Sequence, residues 1–238
     1  MTVEASATLA DLVIQDGRRA RILEGFGLDY CCHGQRSLVD ATTEAGVDLR
    51  EVTRALDLPA PSDPAVRVAQ ERADLAHDIV DTHHAYMWEE MPRLQALVEK
   101  VARVHGERHP ELSRVEELFT AAVSELDPHM TKEERSVFPA ISRLEKSGTR
   151  PRVSLAEQIE VLVDEHTVVG DLFKEINATT MGYAVPEDAC GSYRAMLDGL
   201  REMELDLHEH IHKENNVLFP GALELERAAA PDAQPDPV

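Results

Sequence analysis

The sequence predicts an all-α protein, an up-down-up-down four-helix bundle preceded by a small helical domain. Three observations predict it. Four long stretches, roughly 66–104, 110–145, 155–181 and 188–225, read as helices; in the first, Val68, Leu75, Ile79, Met87, Met91, Leu94 and Leu97 fall at mixed spacings of three, four and seven, as one apolar face of a helix requires. The separators HGERHP, KSGTRPR and GYAVP are short, and each holds Gly and Pro, so consecutive helices run antiparallel. Finally, PHMTKEERSVFP (128–139) returns 81 residues later as EHIHKENNVLFP (209–220). The two copies align without a gap, pairing His129 with His210, Lys132 with Lys213, Glu133 with Glu214, Phe138 with Phe219 and Pro139 with Pro220.

Taken in order, residues 1–57 read as a small helical unit. ATLADLVIQDGRRARILEGFGL offers an N-cap at Thr8 and a glycine stop at Gly25 or Gly27, and shorter helices follow around 37–45 and 49–55. A unit this small has a marginal core and needs cover from the bundle or from a second chain, which is the reason to expect a homodimer. LPAPSDP holds three prolines in seven residues and marks a linker at 58–65. The bundle then occupies 66–226, and the Pro/Asp-rich end, 227–238, reads as a disordered tail.

Composition narrows the function. Lys+Arg 24 against Asp+Glu 45 gives a net charge of −21. Such a surface repels phosphate backbones and anionic lipid, which argues against nucleic-acid or membrane binding. No apolar run approaches the length of a membrane span, and the start lacks the basic region of a signal peptide, so a cytoplasmic location is expected. Three cysteines, Cys31, Cys32 and Cys190, do not make a disulfide framework and fit a reducing compartment.

Residues four apart share a helix face. His129 and Glu133 therefore point the same way, as do His210 and Glu214. One such pair is an ordinary helix contact; two in register, on the second and fourth helices, indicate a duplicated metal site of the kind built inside carboxylate-bridged bundles. The other helices offer Asp81-Thr82-His83-His84 and Asp164-Glu165-His166. His84 to His129 spans 45 residues and His166 to His210 spans 44, so helices running out and back return these residues to one level. Spacing leaves His83 and His84 as rivals, since only one of two adjacent residues is expected to face inward. His105 lies 21 residues beyond His84, about 31 Å along a helix, and is set apart with His109 at the bundle end. His208 and His212 are expected on the opposite face from His210, in solvent or behind the ligands. His77 is expected at the surface and Cys190 as an inert packing residue. Four histidines and two glutamates suit two metals, each with two imidazoles and a share of two bridging carboxylates. Nitrogen and oxygen ligation without thiolate favours iron or manganese. An oxo or hydroxo bridge and open positions for a diatomic ligand are expected.

With these residues in view, the sequence resembles the hemerythrin-like family, and within it the repair-of-iron-centres di-iron proteins. The matching segments are HAYMWEEMPRL, ELDPHMTKEERSVFP, VDEHTVVGDLF and DLHEHIHKENNVLFP, while GFGLDYCCHGQRSL resembles the cysteine-pair domain that precedes the bundle there. The resemblance spans about residues 8–224. It implies two non-haem irons held by His84, His129, His166 and His210, with Glu133 and Glu214 bridging. Pro92, within EEMPRL, matches the family's anchor and places His84 rather than His83 at the ligand position. Glu125 and Glu165 match acidic residues thought to line a path to the irons.

Two departures stand out. Oxygen-carrying hemerythrins have a histidine where this chain has Gly170, which argues against simple oxygen carriage. His33 replaces a glycine found in many relatives. Cys31 and Cys32 are adjacent in a Gly-flanked turn, where a structural disulfide would be strained; a thiol role in handling metal, electrons or nitric oxide is expected. The resemblance implies protection or repair of iron–sulfur clusters under nitrosative or oxidative stress, with damaged or apo iron–sulfur proteins as partners. A nitric oxide reductase-type activity at the same centre is a further implication. The rival reading is a non-catalytic sensor of oxygen or nitric oxide.

Overall fold

The computed structural model describes residues 3–59 and 71–229. Residues 60–65 of the expected linker, 66–70 of the expected first bundle helix and 230–238 of the expected tail lie outside them. The described residues contain no β-strand; one isolated bridge joins Thr8 and Ser37.

Four short helices open the chain: α1 Leu9–Gln15, α2 Arg19–Gly25, α3 Leu38–Ala45 and α4 Leu49–Leu56. Thr8 caps α1, its hydroxyl accepting the Asp11 N–H at 3.1 Å. The single helix expected from Thr8 to Gly25 or Gly27 is two helices. Asp16 has left helical angles (φ −154°, ψ 104°), and its carboxylate takes the Arg18 N–H at 3.1 Å and the Arg18 guanidinium at 2.6 Å. A short acidic side chain here outcompetes the helix for local donors.

Four long helices follow, three of them interrupted by one π-helical turn. Helix α5 runs as Arg72–Ile79, a π turn at Val80–His84, then Ala85–His105. Helix α6 runs as Glu111–Lys132, a π turn at Glu133–Val137, then Phe138–Ser147. Helix α7, Leu155–Thr179, is regular, and α8 runs as Gly191–Lys213, a π turn at Glu214–Leu218, then Phe219–Ala228. The repeated Phe-Pro pair has its explanation here. Phe138 donates its N–H to the Glu133 carbonyl and Phe219 to that of Glu214, five residues back. Pro139 and Pro220 come next; each lacks an N–H, and its ring would press on the preceding turn of a regular α-helix. The widened turn relieves that conflict, and the helix continues instead of stopping.

The buried apolar residues form two clusters, and in every long helix a His or Glu separates them. Ile79, Val137, Phe138, Leu162 and Leu218 belong to one cluster; Met87, Met130, Val169 and Ile211 belong to the other. Between them in sequence fall His84, Glu133, His166 and Glu214, all buried. A polar layer is therefore clamped between two apolar cores. The second cluster also takes in Leu9, Leu12, Leu23, Leu38, Val52 and Leu56, so the apolar face of the N-terminal unit is covered by the chain's own bundle.

The loop between α2 and α3 is pinned to that bundle and to α1. The Asn216 side-chain amide donates to the carbonyls of Tyr30 and Cys31 at 3.3 and 3.1 Å, and the Gly34 carbonyl accepts the Ala10 N–H at 2.8 Å. Gly34 has no room for a side chain: a Cβ would strike the Tyr30 carbonyl and lie 2.8 Å from Asn216 Oδ1 and 2.9 Å from Ala10 Cβ. Gly34→Ala is expected to lower stability by about 1–3 kcal/mol through forced backbone movement. Urea unfolding measures it, and an unchanged midpoint would contradict the packing described.

Candidate metal centre

Six buried side chains meet in the polar layer. His84 comes from α5, His129 and Glu133 from α6, His166 from α7, and His210 and Glu214 from α8; each is at most 2% exposed. Their ligand atoms fall into two groups, His84–Glu133–His210–Glu214 and His129–Glu133–His166–Glu214, each with all atoms within 4.8 Å of one another. Both groups contain both glutamates.

The donor set fits metal ions. Buried polar atoms are ordinarily hydrogen-bonded, yet His129 Nε2, His166 Nε2, both Glu133 carboxylate oxygens and Glu214 Oε2 make no hydrogen bond although they are buried. These atoms face one another: His129 Nε2 lies 3.4 Å from Glu133 Oε2, and His166 Nε2 lies 3.0 Å from Glu214 Oε2. His84 Nε2 and His210 Nε2 approach to 3.1 Å. Lone pairs crowded this way are poor partners for each other and good partners for a shared cation.

Three of the four imidazoles are oriented from behind. His84 Nδ1 donates to Glu134 Oε1 at 3.0 Å, and the Trp88 indole donates to the same oxygen at 2.9 Å. His129 Nδ1 donates to Glu165 Oε2 at 2.8 Å, and Lys132 Nζ holds Glu165 Oε1 at 2.5 Å. His166 Nδ1 donates to Asn215 Oδ1 at 2.9 Å. A proton held at Nδ1 leaves Nε2 free to ligate, which is how histidine ligands are commonly fixed. Glu134 and Asn215 are equivalent positions of the repeat, so one copy supplies a carboxylate and the other a neutral amide. Sequence spacing did not single out either residue, although the aligned pair Glu133-Glu134 and Glu214-Asn215 carried the signal.

The electrostatics follow from that packing. Burial pushes the imidazoles towards neutrality, but Glu133 and Glu214 outweigh it at His84, raising it to about 10. At His166 burial is likewise overcome, chiefly by Glu214, and the value rises to about 9. Burial wins at His210, which is lowered. Its Nδ1 has no hydrogen bond, and its ring stacks on His83 at 5.5 Å. The His129 hydrogen bond outweighs burial and, with Lys132, holds Glu165 down at about 2.

The remaining sequence candidates fall in different places. His83 is buried as well, contrary to the expectation that one of the adjacent pair must face outward; its Nδ1 goes to Asp206 at 2.9 Å. The π turn at Val80–His84 lets both rings enter the interior, but only His84 joins the ligand groups. His212 is buried, its Nδ1 lying 3.4 Å from the Tyr30 carbonyl. His208 faces Glu24 at 3.6 Å. Glu125 is exposed, one turn before His129 on α6. Cys190 is exposed rather than packed; it precedes α8, and its Sγ lies 3.2 Å from Nε2 of the buried His105. Cys31 is buried, Cys32 is partly so, and both are free thiols.

His84→Ala is expected to weaken metal binding by the His84–Glu133–His210–Glu214 group about tenfold or more, while His83→Ala leaves it unchanged. Metal analysis after anaerobic loading separates the two, and equal losses would contradict the assignment of His84.

Comparison with known proteins follows the same division. The family described as "Hemerythrin HHE cation binding domain" matches residues 75–222, and "Domain of Unknown function (DUF542)" matches residues 5–59. The iron-sulfur cluster repair protein YtfE of Salmonella choleraesuis is 35% identical over 219 residues, covering 90% of this chain and 96% of its own. YtfE of Pectobacterium carotovorum is 34% identical over 218 residues, covering 91% and 96%. The iron-sulfur cluster repair protein ScdA of Staphylococcus haemolyticus is 32% identical over 213 residues, covering 89% and 95%.

Proposed function

We propose that this chain, which belongs to the hemerythrin HHE cation binding family and to its iron-sulfur cluster repair branch, restores damaged iron–sulfur clusters by donating iron from the bundle. The observation that carries the reading is the pair of four-ligand groups sharing Glu133 and Glu214. In this reading His84 and His210 hold one non-haem iron, His129 and His166 a second, and the two glutamates bridge. Iron bound there supplies a labile, redox-active cation with positions open to nitric oxide or oxygen.

The residues themselves suit release as much as retention. Neutral imidazoles and shared carboxylates bind ferrous iron less tenaciously than thiolates bind softer metals. Opening one carboxylate bridge loosens both positions at once. Protons compete for His84 and His166, whose basicity is raised by the same glutamates. Glu165, ionised and tied to Lys132, orients His129 from the partly exposed side of the layer, at a position where the resemblance implies a path to the irons. Damaged or apo iron–sulfur proteins are the recipients, and a reducing, cytoplasmic setting suits the three free thiols. Among the described residues, no helix is long and apolar enough to cross a membrane.

The test is transfer. Iron-loaded protein, mixed anaerobically with an apo iron–sulfur enzyme and sulfide, is expected to restore activity faster than the same amount of free ferrous iron. Glu214→Ala is expected to lose that advantage. Recovery no better than with free iron would overturn the reading.

A further inference from the structure

A cleft of about 790 Å³ opens between the N-terminal unit and helices α7 and α8, and Asp29, Cys31 and Cys32 line it together with Gly170. Cys31 Sγ and Cys32 Sγ are 3.8 Å apart, and Asp29 Oδ1 lies 3.3 Å from Cys31 Sγ. All three ligand atoms fall within 4.8 Å of one another. A sulfur separation of 3.8 Å is far beyond a disulfide bond. It is also the separation expected of two thiolates on one tetrahedral ion, since two metal–sulfur bonds of about 2.3 Å at the tetrahedral angle put the sulfurs about 3.8 Å apart.

From this geometry we infer a second metal site, in which Asp29, Cys31 and Cys32 take one thiophilic divalent cation from the cleft. Its frame is built. Asp29 Oδ1 accepts the N–H groups of Cys31 and Cys32 at 3.1 and 2.9 Å, and Oδ2 bonds His33 Nδ1 at 2.7 Å, the carboxylate–imidazole pairing that orients ligands. His33 is therefore a positioning residue, which accounts for a histidine in the cysteine motif. The fourth position faces the cleft and is left for solvent or an incoming ligand.

The site also adjoins the bundle centre. Cys32 Sγ lies 3.8 Å from the His166 carbonyl. A side chain at position 170 would meet that sulfur at 3.3 Å from its Cβ, so Gly170 makes the space that Cys32 uses. Asn215 spans both places, its oxygen on His166 Nδ1 and its amide nitrogen 3.5 Å from the Cys31 carbonyl. Resting on the repair reading, the cargo is ferrous iron on its way out of the bundle. The step is a ligand exchange: Fe²⁺ leaves imidazole and carboxylate, two Fe–S bonds form, two S–H bonds break, and two protons pass to solvent with no change of oxidation state.

Cobalt(II) is the probe, added anaerobically to the full-length protein already loaded with iron. One further equivalent is expected to bind with an intense near-ultraviolet thiolate-to-cobalt band, which the nitrogen and oxygen ligands of the bundle cannot produce. Cys31→Ser and Cys32→Ser should each reduce or abolish the band. Asp29→Asn, which keeps the backbone acceptor, should weaken binding at least about tenfold. Circular dichroism and retained bundle iron check folding in each variant. No thiolate band in the native chain, or a band unchanged in both cysteine variants, overturns the site. Cobalt binding without iron donation would instead fault the repair reading alone.

Discussion

Glu133→Ala, purified without oxygen, will hold fewer than about one iron per chain and will not donate iron to an apo enzyme. The expectation follows from position. Glu133 is fully buried, and both of its oxygens lack hydrogen bonds, so a cation is the partner its carboxylate is built for. It belongs to both four-residue groups, so losing it touches both, whereas losing one histidine touches one. Glu133→Gln separates charge from shape: it keeps the side chain's size but replaces a bridging anion with an amide, and should lose iron nearly as badly. Helical circular dichroism should survive both changes, since two apolar clusters flank the layer. Two irons retained in Glu133→Ala would remove the carboxylate from the centre.

The second large effect is pH dependence, and it has opposite signs with and without metal. His84 is raised to about 10 and His166 to about 9 by the buried glutamates. Iron must displace these protons, so raising pH from about 7 to about 9 should tighten binding by up to about tenfold per unit for each proton displaced. In the metal-free protein the same shifts stabilise the fold. A raised imidazole contributes fully below its unfolded value near 6.5, and that contribution is lost as pH climbs through about 9 to about 10. Glu214, held well below its ordinary 4.5 despite burial by His210, His166 and His84, contributes above 4.5 and loses that contribution as pH falls. Metal-free protein should therefore be most stable between about 4.5 and about 6.5, weaken steadily as pH rises from there towards about 10, and weaken again as pH falls below about 4.5. Thermal melts of the apo chain across pH, beside iron titrations, check both signs.

The bundle and the buried His/Glu layer are legible in the sequence because both repeat. Helical spacing and Gly/Pro punctuation mark the four long helices, and the duplicated His-x-x-x-Glu places one histidine and one glutamate of that layer on each of two helices. What stayed hidden is local geometry that spacing cannot carry. The π turns at Val80–His84, Glu133–Val137 and Glu214–Leu218 shift every later residue by about 100°, so both His83 and His84 reach the interior. Spacing along α8 alone places His212 in solvent or behind the ligands and carries no sign of the α2–α3 loop, whose Tyr30 carbonyl lies against it. Spacing marks Cys190 as a packing residue, yet it is exposed just before the start of α8. The break between α1 and α2 turned on one Asp16 carboxylate competing for backbone donors, a choice too small for periodicity to register.

The central claim, two ions bridged by Glu133 and Glu214, is tested most directly by iron quantitation with Mössbauer spectroscopy on anaerobically loaded protein. Two irons per chain in nitrogen and oxygen ligation, magnetically coupled when oxidised, are the predicted result. One iron per chain, or two that are magnetically independent, would contradict it.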